Sequence, residues 1–380
     1  MIIPPLGLYI HIPFCVRKCP YCDFFSEKIG TDGVSDNYVS ALIKELSLYS
    51  ESCSSRTIES IYIGGGTPTL LNPKQIEMIM NAVDRNFRLS DSVEISMEAN
   101  PGTVTERNIR QYRSIGINRL SLGVQSLNND SLKRLCRIHD RHEALQAAEN
   151  VAKYFQNFNI DLMHSLPGQS LKEAISDLDD VIKLNPNHIS WYQLTIEEDT
   201  PYARNIPSLP KEDVIDSIYL EGYELLRQHS YEHYEVSAFA KKGFECRHNR
   251  NYWTFGDYLG AGSGAHSKMT ENNRIHRQSR IENTCEYIRN ISEDRISNIY
   301  ASDDYIANED LTFEYFLNRL RLFSPIPIRE YEDLTGLRFE NIRHLFEKYE
   351  TERLVSLRED KIVITGKGQL FINQMIEDFI

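Results

Sequence analysis

Long apolar runs, basic clusters and obvious cysteine pairs are missing from this sequence of 380 residues. No apolar stretch approaches the roughly 18 residues that a transmembrane helix requires, so we expect no membrane span, while contact with a membrane surface stays open. The first residues, MIIPPLGLYIHIPF, contain no basic segment, so we expect no signal peptide. Lysine and arginine are scattered and the formal net charge is −13, which argues against nucleic acid as a partner.

The cysteines indicate a reducing, cytoplasmic location. Their number is seven, which is odd, and no export signal precedes them, so free thiols are favoured over a disulfide framework. Cys15, Cys19 and Cys22 are spaced C-x3-C-x2-C with no fourth cysteine close behind. The remaining four are isolated in the chain.

Strand-type and helical segments alternate from residue 7 to about 195. Six strands are predicted, at 7–12, 60–65, 93–99, 118–125, 158–164 and 188–194. Apolar residues at helical spacing lie between them, and Asn72 with Pro73 is a good start for the second helix. This alternation predicts βα units around a parallel sheet. Polar residues or glycine turns stand at the carboxyl ends of several strands, so we expect an α/β fold, a partial (β/α)6 barrel of the TIM type, rather than an open doubly wound sheet.

The pattern changes after residue 200, which predicts three domains. The barrel is expected at 1–200, with an extension and linker at 201–300. In that extension we expect a helix near 210–229, a strand near 231–239 and then a glycine-rich, aromatic stretch. The segment 301–380 is expected to be a smaller α+β domain in which two helices, a strand pair and a closing helix resemble a winged helix. Its charge is mixed, so packing against the barrel is favoured over DNA binding.

Three thiols in one loop suggest a metal centre. A zinc site completed by a histidine such as His11 is one interpretation, and three buried thiols without a role are another. Structural zinc sites usually combine two short knuckles, whereas this chain has one. The spacing resembles the signature of the radical S-adenosylmethionine (SAM) enzymes. That resemblance implies a [4Fe–4S] cluster on Cys15, Cys19 and Cys22, SAM on the fourth iron, and an electron donor such as flavodoxin or ferredoxin.

A longer series of motifs narrows the resemblance. MEANPGT, RLSLGVQS, RLCRIH, IDLMHSLPGQ and SWYQLTIE follow one another as in the oxygen-independent coproporphyrinogen III oxidase family, and the chain is most similar to its haem-chaperone branch. The glycines of IYIGGGTPTLL allow close approach of the backbone to a ligand. By this resemblance the SAM contacts are Tyr9, Tyr21, Gly65, Gly66, Thr67, Glu98, Gln125, Arg137, Asp161, Thr195 and His266. Taken singly, the acids among them could cap helices and Arg137 could form a surface ion pair.

Two features bear on the choice within that family. The oxidases carry a further cysteine two residues after the third one, and here that position is Phe24. The stretch CRHNRNYW contains H-N-x-x-Y-W, which resembles the haem-binding motif of the chaperone branch. That resemblance implies haem as a ligand, with His248 as axial ligand, Cys246 as the alternative, and Tyr252 and Trp253 beside the porphyrin. The residues alone favour a simpler interpretation. In it, His248 forms a hydrogen bond with a backbone carbonyl, and Tyr252 and Trp253 pack in the core.

Three functions remain open on this basis. The first is a haem chaperone that binds a cluster, SAM and haem and passes haem to acceptor proteins. The second is a coproporphyrinogen III dehydrogenase, which would be an oxidative decarboxylase. The third is another radical SAM enzyme, such as a methyltransferase. Phe24 and the H-N-x-x-Y-W motif favour the first.

Overall fold

The computed structural model describes residues 1–30 and 33–380. The strands, in chain order, are β1 (Leu6–Ile12), β2 (Phe14–Cys15), β3 (Glu27–Lys28), β4 (Thr57–Gly65), β5 (Arg88–Ala99), β6 (Arg119–Gln125), β7 (Asn157–His164), β8 (His188–Gln193), β9 (Glu232–Glu235), β10 (Ala238–Ala240), β11 (Asp257–Ala261), β12 (His266–Glu271), β13 (Arg274–Arg280), β14 (Tyr300–Tyr305), β15 (Ile326–Pro327), β16 (Val355–Leu357) and β17 (Lys361–Ile364). The helices are α1 (Asp36–Leu48), α2 (Pro73–Asn86), α3 (Glu106–Ile115), α4 (Asn129–Arg134), α5 (Arg141–Tyr154), α6 (Leu171–Lys183), α7 (Pro201–Arg204), α8 (Glu212–Gln228), α9 (Arg247–Trp253), α10 (Thr284–Ser292), α11 (Leu311–Arg319), α12 (Ile328–Thr335), α13 (Arg343–Thr351), α14 (Gly366–Leu370) and α15 (Ile372–Glu377).

A large twelve-stranded sheet forms the framework of the molecule. Its strand order is β14-β13-β12-β11-β1-β4-β5-β6-β7-β8-β10-β9. The seven strands from β11 to β8 in this order are parallel to one another, and every pairing outside this group is antiparallel. The sheet runs from β14 at one edge to β9 at the other. The predicted α/β partial barrel is confirmed, with all six predicted strands present.

The helix α2 begins where the sequence predicts. Asn72 caps α2 by accepting a hydrogen bond from the backbone N–H of Gln75, and Pro73 is the first helical residue. The helices α5 and α6 begin with the same kind of reciprocal cap, through Asp140 and Ser170. Apolar faces of these helices cover the sheet, where the parallel strands are buried on both sides.

The region after residue 200 differs in detail from the prediction. The helix predicted near 210–229 is α8, but the single strand predicted at 231–239 is a hairpin of two short strands, β9 and β10. The backbone turns between them, where the Glu235 carboxylate accepts a hydrogen bond from the N–H of Ser237. The glycine-rich stretch also contains a strand that the sequence did not predict, β11, which pairs parallel with β1.

The C-terminal segment forms its own apolar cluster. Three helices, α11 to α13, precede the predicted strand pair, and a third short strand, β15, pairs with β17. The prediction of two helices before the strand pair was wrong, because the structure has three. Phe316, Tyr331 and Phe346 lie at the centre of this cluster, which also includes Phe255 from the stretch after α9. None of the described helices is long and apolar enough to cross a membrane.

A buried ion pair joins the extension strands to the barrel. Glu45 on α1 accepts a hydrogen bond from Arg280 at the end of β13 at 2.7 Å, and both side chains are fully buried. The same carboxylate accepts hydrogen bonds from the Tyr287 hydroxyl and from the backbone N–H of Gly262. One carboxylate therefore holds α1, α10 and the loop after β11 together.

Candidate functional site

A cavity of about 630 Å³ opens at the carboxyl ends of the parallel strands. We call it the cysteine cavity because Cys15, Cys19 and Cys22 are all in its wall. Parallel strands bring their carboxyl ends to one edge, which explains why residues far apart in sequence meet here. The predicted SAM contacts in its wall are Tyr21, Gly65, Gly66, Thr67, Glu98, Gln125, Arg137, Asp161 and Thr195.

The three cysteines follow β1 closely: Cys15 is the last residue of β2, and Cys19 and Cys22 lie in the loop after it. Cys15 is buried, whereas Cys19 and Cys22 are half-buried, and the N–H of Cys22 donates to the carbonyl of Cys19. Burial raises the pKa of Cys15, and it raises the pKa of Cys22 to about 11, with the neighbouring Cys19 adding to both shifts. The cavity thus favours neutral thiols, so a bound cation has to displace their protons.

The zinc interpretation does not fit these side chains. Both ring nitrogens of His11 are engaged, Nδ1 with the Tyr9 hydroxyl at 2.9 Å and Nε2 with the Phe25 carbonyl at 3.0 Å. Among the described residues, no three or more His, Cys, Asp or Glu side chains are placed to share one metal ion. Three thiolates that each bind a different iron of a cluster do not need to converge on one ion, so a cluster fits the loop better than zinc.

Arg137 lies directly beside the cysteine loop. Its Nη1 donates to Cys19 Sγ at 3.8 Å and its Nη2 to the Gly123 carbonyl at 2.6 Å. Its Nε is buried and has no hydrogen-bond partner among the described residues. A buried guanidinium with a free donor in a cavity wall is suited to an anionic group such as a carboxylate or a sulfide.

The glycine turn after β4 is shaped by its protein neighbours. Gly65 has a φ of +112°, and a Cβ there would lie 2.6 Å from the His11 ring. A Cβ on Gly66 would lie 2.5 Å from the Phe14 carbonyl oxygen. The N–H of Gly65 donates to Glu98 and that of Gly66 to Ile12, so both donors are used within the protein. Glycine is therefore required at both positions by close packing within the protein, and the backbone of the turn lines the cysteine cavity.

Two half-buried carboxyl groups, Glu98 on β5 and Asp161 on β7, line the cysteine cavity. Glu98 accepts hydrogen bonds from the Tyr62 hydroxyl at 3.0 Å and from Gly65 N–H at 3.1 Å. Burial, with repulsion from Asp161, raises the pKa of Glu98 to about 7. Asp161 accepts hydrogen bonds from Ser121 and Asn159, and burial raises its pKa as well.

A second cavity of about 600 Å³ lies on the other side of Tyr62 and Glu98. We call it the aromatic cavity because eight aromatic side chains line it: Tyr9, Phe24, Phe25, Tyr62, Tyr252, Trp253, Phe255 and Tyr258. Phe24, Tyr62 and Glu98 line both cavities. Two predicted SAM contacts, Tyr9 and His266, lie in this cavity and not in the cysteine cavity.

His248 forms part of the floor of the aromatic cavity. Its Nδ1 is 2.9 Å from the Ser60 hydroxyl and its Nε2 is 2.9 Å from the Tyr252 hydroxyl. The ring stacks on Tyr62 with 5.3 Å between ring centroids. Burial lowers the pKa of His248 to about 3, so the imidazole is neutral, which is the form that binds a metal.

Cys246 is separated from both cavities. It precedes α9 and is fully buried, with its thiol 3.6 Å from a Glu94 carboxylate oxygen. Burial raises the pKa of this thiol to about 12, so a thiolate is disfavoured there. Of the four predicted haem contacts, His248, Tyr252 and Trp253 line one cavity, whereas Cys246 does not line it.

Comparison with known proteins identifies the family. Residues 9–181 match the radical SAM superfamily, and residues 306–371 match the HemN C-terminal domain. The heme chaperone HemW of Haemophilus influenzae is 42% identical over 385 residues, covering 100% of this chain and 98% of that protein. The heme chaperone HemW of Escherichia coli is 41% identical over 380 residues, covering 100% and 99%. The chain belongs to the HemW family of radical SAM proteins.

A solved structure supports the fold of this HemW family member. Coproporphyrinogen III oxidase, HemN, from Escherichia coli superposes with a TM-score of 0.85 over 99% of this chain and 90% of that chain, at 24% sequence identity. The radical SAM match begins at Tyr9 and includes the cysteine loop. The resemblance drawn from the motifs is therefore confirmed, whereas the roles of single residues stay predictions.

Several cavity residues were not predicted. Cys136 lines the cysteine cavity with a φ of +55°, at the position after α4 where glycine is usual, and it precedes Arg137 in the motif RLCRIH. His164 and Trp191 line the same cavity, and their rings are in contact at an interplanar angle of 40° with centroids 4.3 Å apart. Tyr192 also lines it and donates to Gln125 at 2.8 Å. For His164, Trp191 and Tyr192, the available signal in the sequence was their position near the ends of β7 and β8.

Proposed function

We propose that this chain is a haem chaperone that holds a [4Fe–4S] cluster and SAM in the cysteine cavity and haem in the aromatic cavity. The observation that carries the proposal is the position of His248, Tyr252 and Trp253 in a cavity that shares a wall with the cysteine cavity. Curated relatives that match the whole chain are named heme chaperones.

The cysteine cavity fits the first two groups. Cys15, Cys19 and Cys22 would bind three irons, which leaves the fourth for SAM. The cluster and SAM supply one-electron chemistry when bound. The free Nε of Arg137 would bind an anionic group of SAM or a cluster sulfide. Glu98 would face the positively charged part of SAM, while Gln125, Asp161 and Thr195 offer polar contacts along the strand ends.

The aromatic cavity fits a porphyrin. Flat, partly polar rings in its wall can pack against both faces of a macrocycle. His248 is a neutral imidazole, and its Nε2 becomes available if the Tyr252 hydroxyl moves away. Cys246 is the weaker candidate because its thiol lies outside the cavity and stays protonated.

Phe24 argues against decarboxylase activity. It stands where the resembling oxidases carry a further cysteine, and it is 63% exposed in the wall between the two cavities. A phenyl ring at this position can neither donate a proton, as a thiol can, nor act as a nucleophile or ligand, as a thiolate can. We therefore favour a carrier that passes haem to an acceptor protein, with a flavodoxin or ferredoxin as the source of electrons.

Haem titration of the anaerobically reconstituted protein tests the proposal. We expect one haem per chain and a Soret band that shifts from that of free haem. Haem binding should quench the fluorescence of Trp253, because Trp253 lines the cavity. The quenching that is lost in a Trp253→Phe variant measures the contribution of this residue. Failure to bind haem in a defined stoichiometry would refute the proposal.

SAM binding should depend on pH through Glu98. The raised pKa of about 7 keeps this carboxyl group neutral below pH 7, and it becomes an anion as the pH rises. An anion attracts the cationic part of SAM, so affinity should increase between pH 6 and pH 7.5 by up to about eightfold, as the ionised fraction does. Calorimetric titration at the two pH values measures this. In Glu98→Gln the increase should disappear, and an unchanged pH dependence in that variant would contradict the assignment.

A further inference from the structure

His266 occupies the aromatic cavity with an imidazole that is free to bind. It is the first residue of β12 and faces Ser279 of β13 in the antiparallel register, as Lys268 faces Arg277. Side chains two residues apart on a strand point to the same side, so His266, Lys268 and Arg277 share one face. All three line the aromatic cavity.

The two histidines of this cavity differ in availability. Each ring nitrogen of His248 is 2.9 Å from a hydroxyl oxygen, and the side chain is buried. His266 is exposed, and within residues 1–30 and 33–380 neither of its ring nitrogens has a hydrogen-bond partner. Partial desolvation of the ring and the nearby cations Arg277 and Arg280 lower the pKa of His266, while Glu282 opposes this shift, and the lowered pKa favours the neutral imidazole. A metal can reach it without breaking an existing hydrogen bond.

The two cations on the same face also differ. The Lys268 ammonium is engaged by the Asp257 carboxylate at 3.1 Å and by the carbonyls of Phe255 and Gly256. Arg277 pairs through Nη2 with Glu314 at 2.8 Å, while its buried Nε has no hydrogen-bond partner in the described chain. The Arg277 side chain is 40% exposed in the wall of the aromatic cavity, so its guanidinium is accessible to a carboxylate.

We propose that His266 is an axial ligand of the haem iron in the aromatic cavity and that Arg277 binds a propionate carboxylate of the same haem. This inference rests on the proposed function, since it requires that haem occupy this cavity. It adds a ligand outside the H-N-x-x-Y-W motif. His248 then binds iron only after its Nε2 exchanges the Tyr252 hydroxyl for the metal.

Haem titration of His266→Ala in the full-length protein tests the ligand. The loss of an axial ligand should shift the Soret band and weaken haem binding by about tenfold or more. Replacing a residue that only supports a metal ligand already lowers metal affinity by about tenfold. Added imidazole should restore the wild-type spectrum, which loss of folding could not imitate. The matched control is His276→Ala on β13, a histidine outside the cavity on the opposite face from Arg277.

Arg277→Gln tests the carboxylate contact separately. It should weaken haem binding by about tenfold without moving the Soret band, since a charged hydrogen bond is lost while the ligands stay. Arg274→Gln, on the opposite face of the same strand, should bind as wild type does. Haem dimethyl ester, which lacks the carboxylates, should bind wild type and Arg277→Gln equally.

The outcomes separate this inference from the proposed function. If wild type binds haem and His266→Ala gives the same spectrum and affinity, the His266 assignment is overturned and the haem function stands. If Arg277→Gln binds as tightly as wild type, the propionate contact is overturned. If wild type binds no haem, both the function and the inference are wrong.

Discussion

Replacing Cys19 by alanine is expected to abolish the [4Fe–4S] cluster. The loop supplies three thiols and Cys19 is the central one, so its loss leaves an iron without a protein ligand. Cys19 is also the thiol that Arg137 contacts at 3.8 Å. Iron and acid-labile sulfide should fall from about four per chain to near background after anaerobic reconstitution, since each cluster contains four of each.

Two cysteine variants serve as controls for this experiment. Cys285→Ala changes an exposed thiol on α10 outside both cavities and should keep a full cluster. Cys136→Gly removes a fourth thiol from the same cavity, and glycine suits its φ of +55°. We expect it to keep the cluster as well. A full cluster in Cys19→Ala, or loss of the cluster in Cys136→Gly, would show that the ligand set is wrong.

Glu45→Ala is expected to be the most destabilising single substitution considered. It leaves the fully buried Arg280 guanidinium without its carboxylate partner and removes the acceptor of Tyr287 and of Gly262 N–H. Breaking one side of a buried ion pair typically costs about 3–5 kcal/mol. Urea unfolding monitored by circular dichroism should show a clearly lower midpoint for the barrel.

The control for Glu45→Ala lies on the surface close by. Glu51→Ala changes an exposed acid beyond the end of α1 and should alter the free energy of unfolding by less than about 0.5 kcal/mol. A double variant, Glu45→Met with Arg280→Met, should recover much of the loss, because an apolar pair needs no counter-charge. A change below about 1 kcal/mol in Glu45→Ala would contradict the role given to this pair.

The barrel was predictable because its strands carry a repeating signal. Six apolar runs between helical segments predicted the strands β1 and β4 to β8, and polar residues at their ends predicted the cysteine cavity. The same strands contain a second signal that was not used. Polar residues alternate along β5 to β8, and they face the barrel interior: Glu94, Ser96, Glu98, Arg119, Ser121, Asn159, Asp161, His188 and Ser190. A period of two with polar side chains predicts such a hydrogen-bonded interior.

The aromatic cavity could not have been predicted in the same way. Its wall combines Tyr9 on β1 and Tyr62 on β4 with residues of α9 and β12, which lie 186 to 259 positions later in the chain. They meet because β11 pairs with β1, and β11 was not recognised in a short glycine-rich stretch. Without that pairing in a prediction, the presence of His266 and His248 in one cavity cannot be inferred.

Parallel assays on a single preparation test the central claim most directly. The anaerobically reconstituted protein is divided, and one part is titrated with haem while the other receives coproporphyrinogen III, SAM and a reductant. We predict stoichiometric haem binding in the first part and no formation of protoporphyrinogen IX in the second. Decarboxylation over many turnovers, without haem binding, would contradict the account and identify the chain as a coproporphyrinogen dehydrogenase.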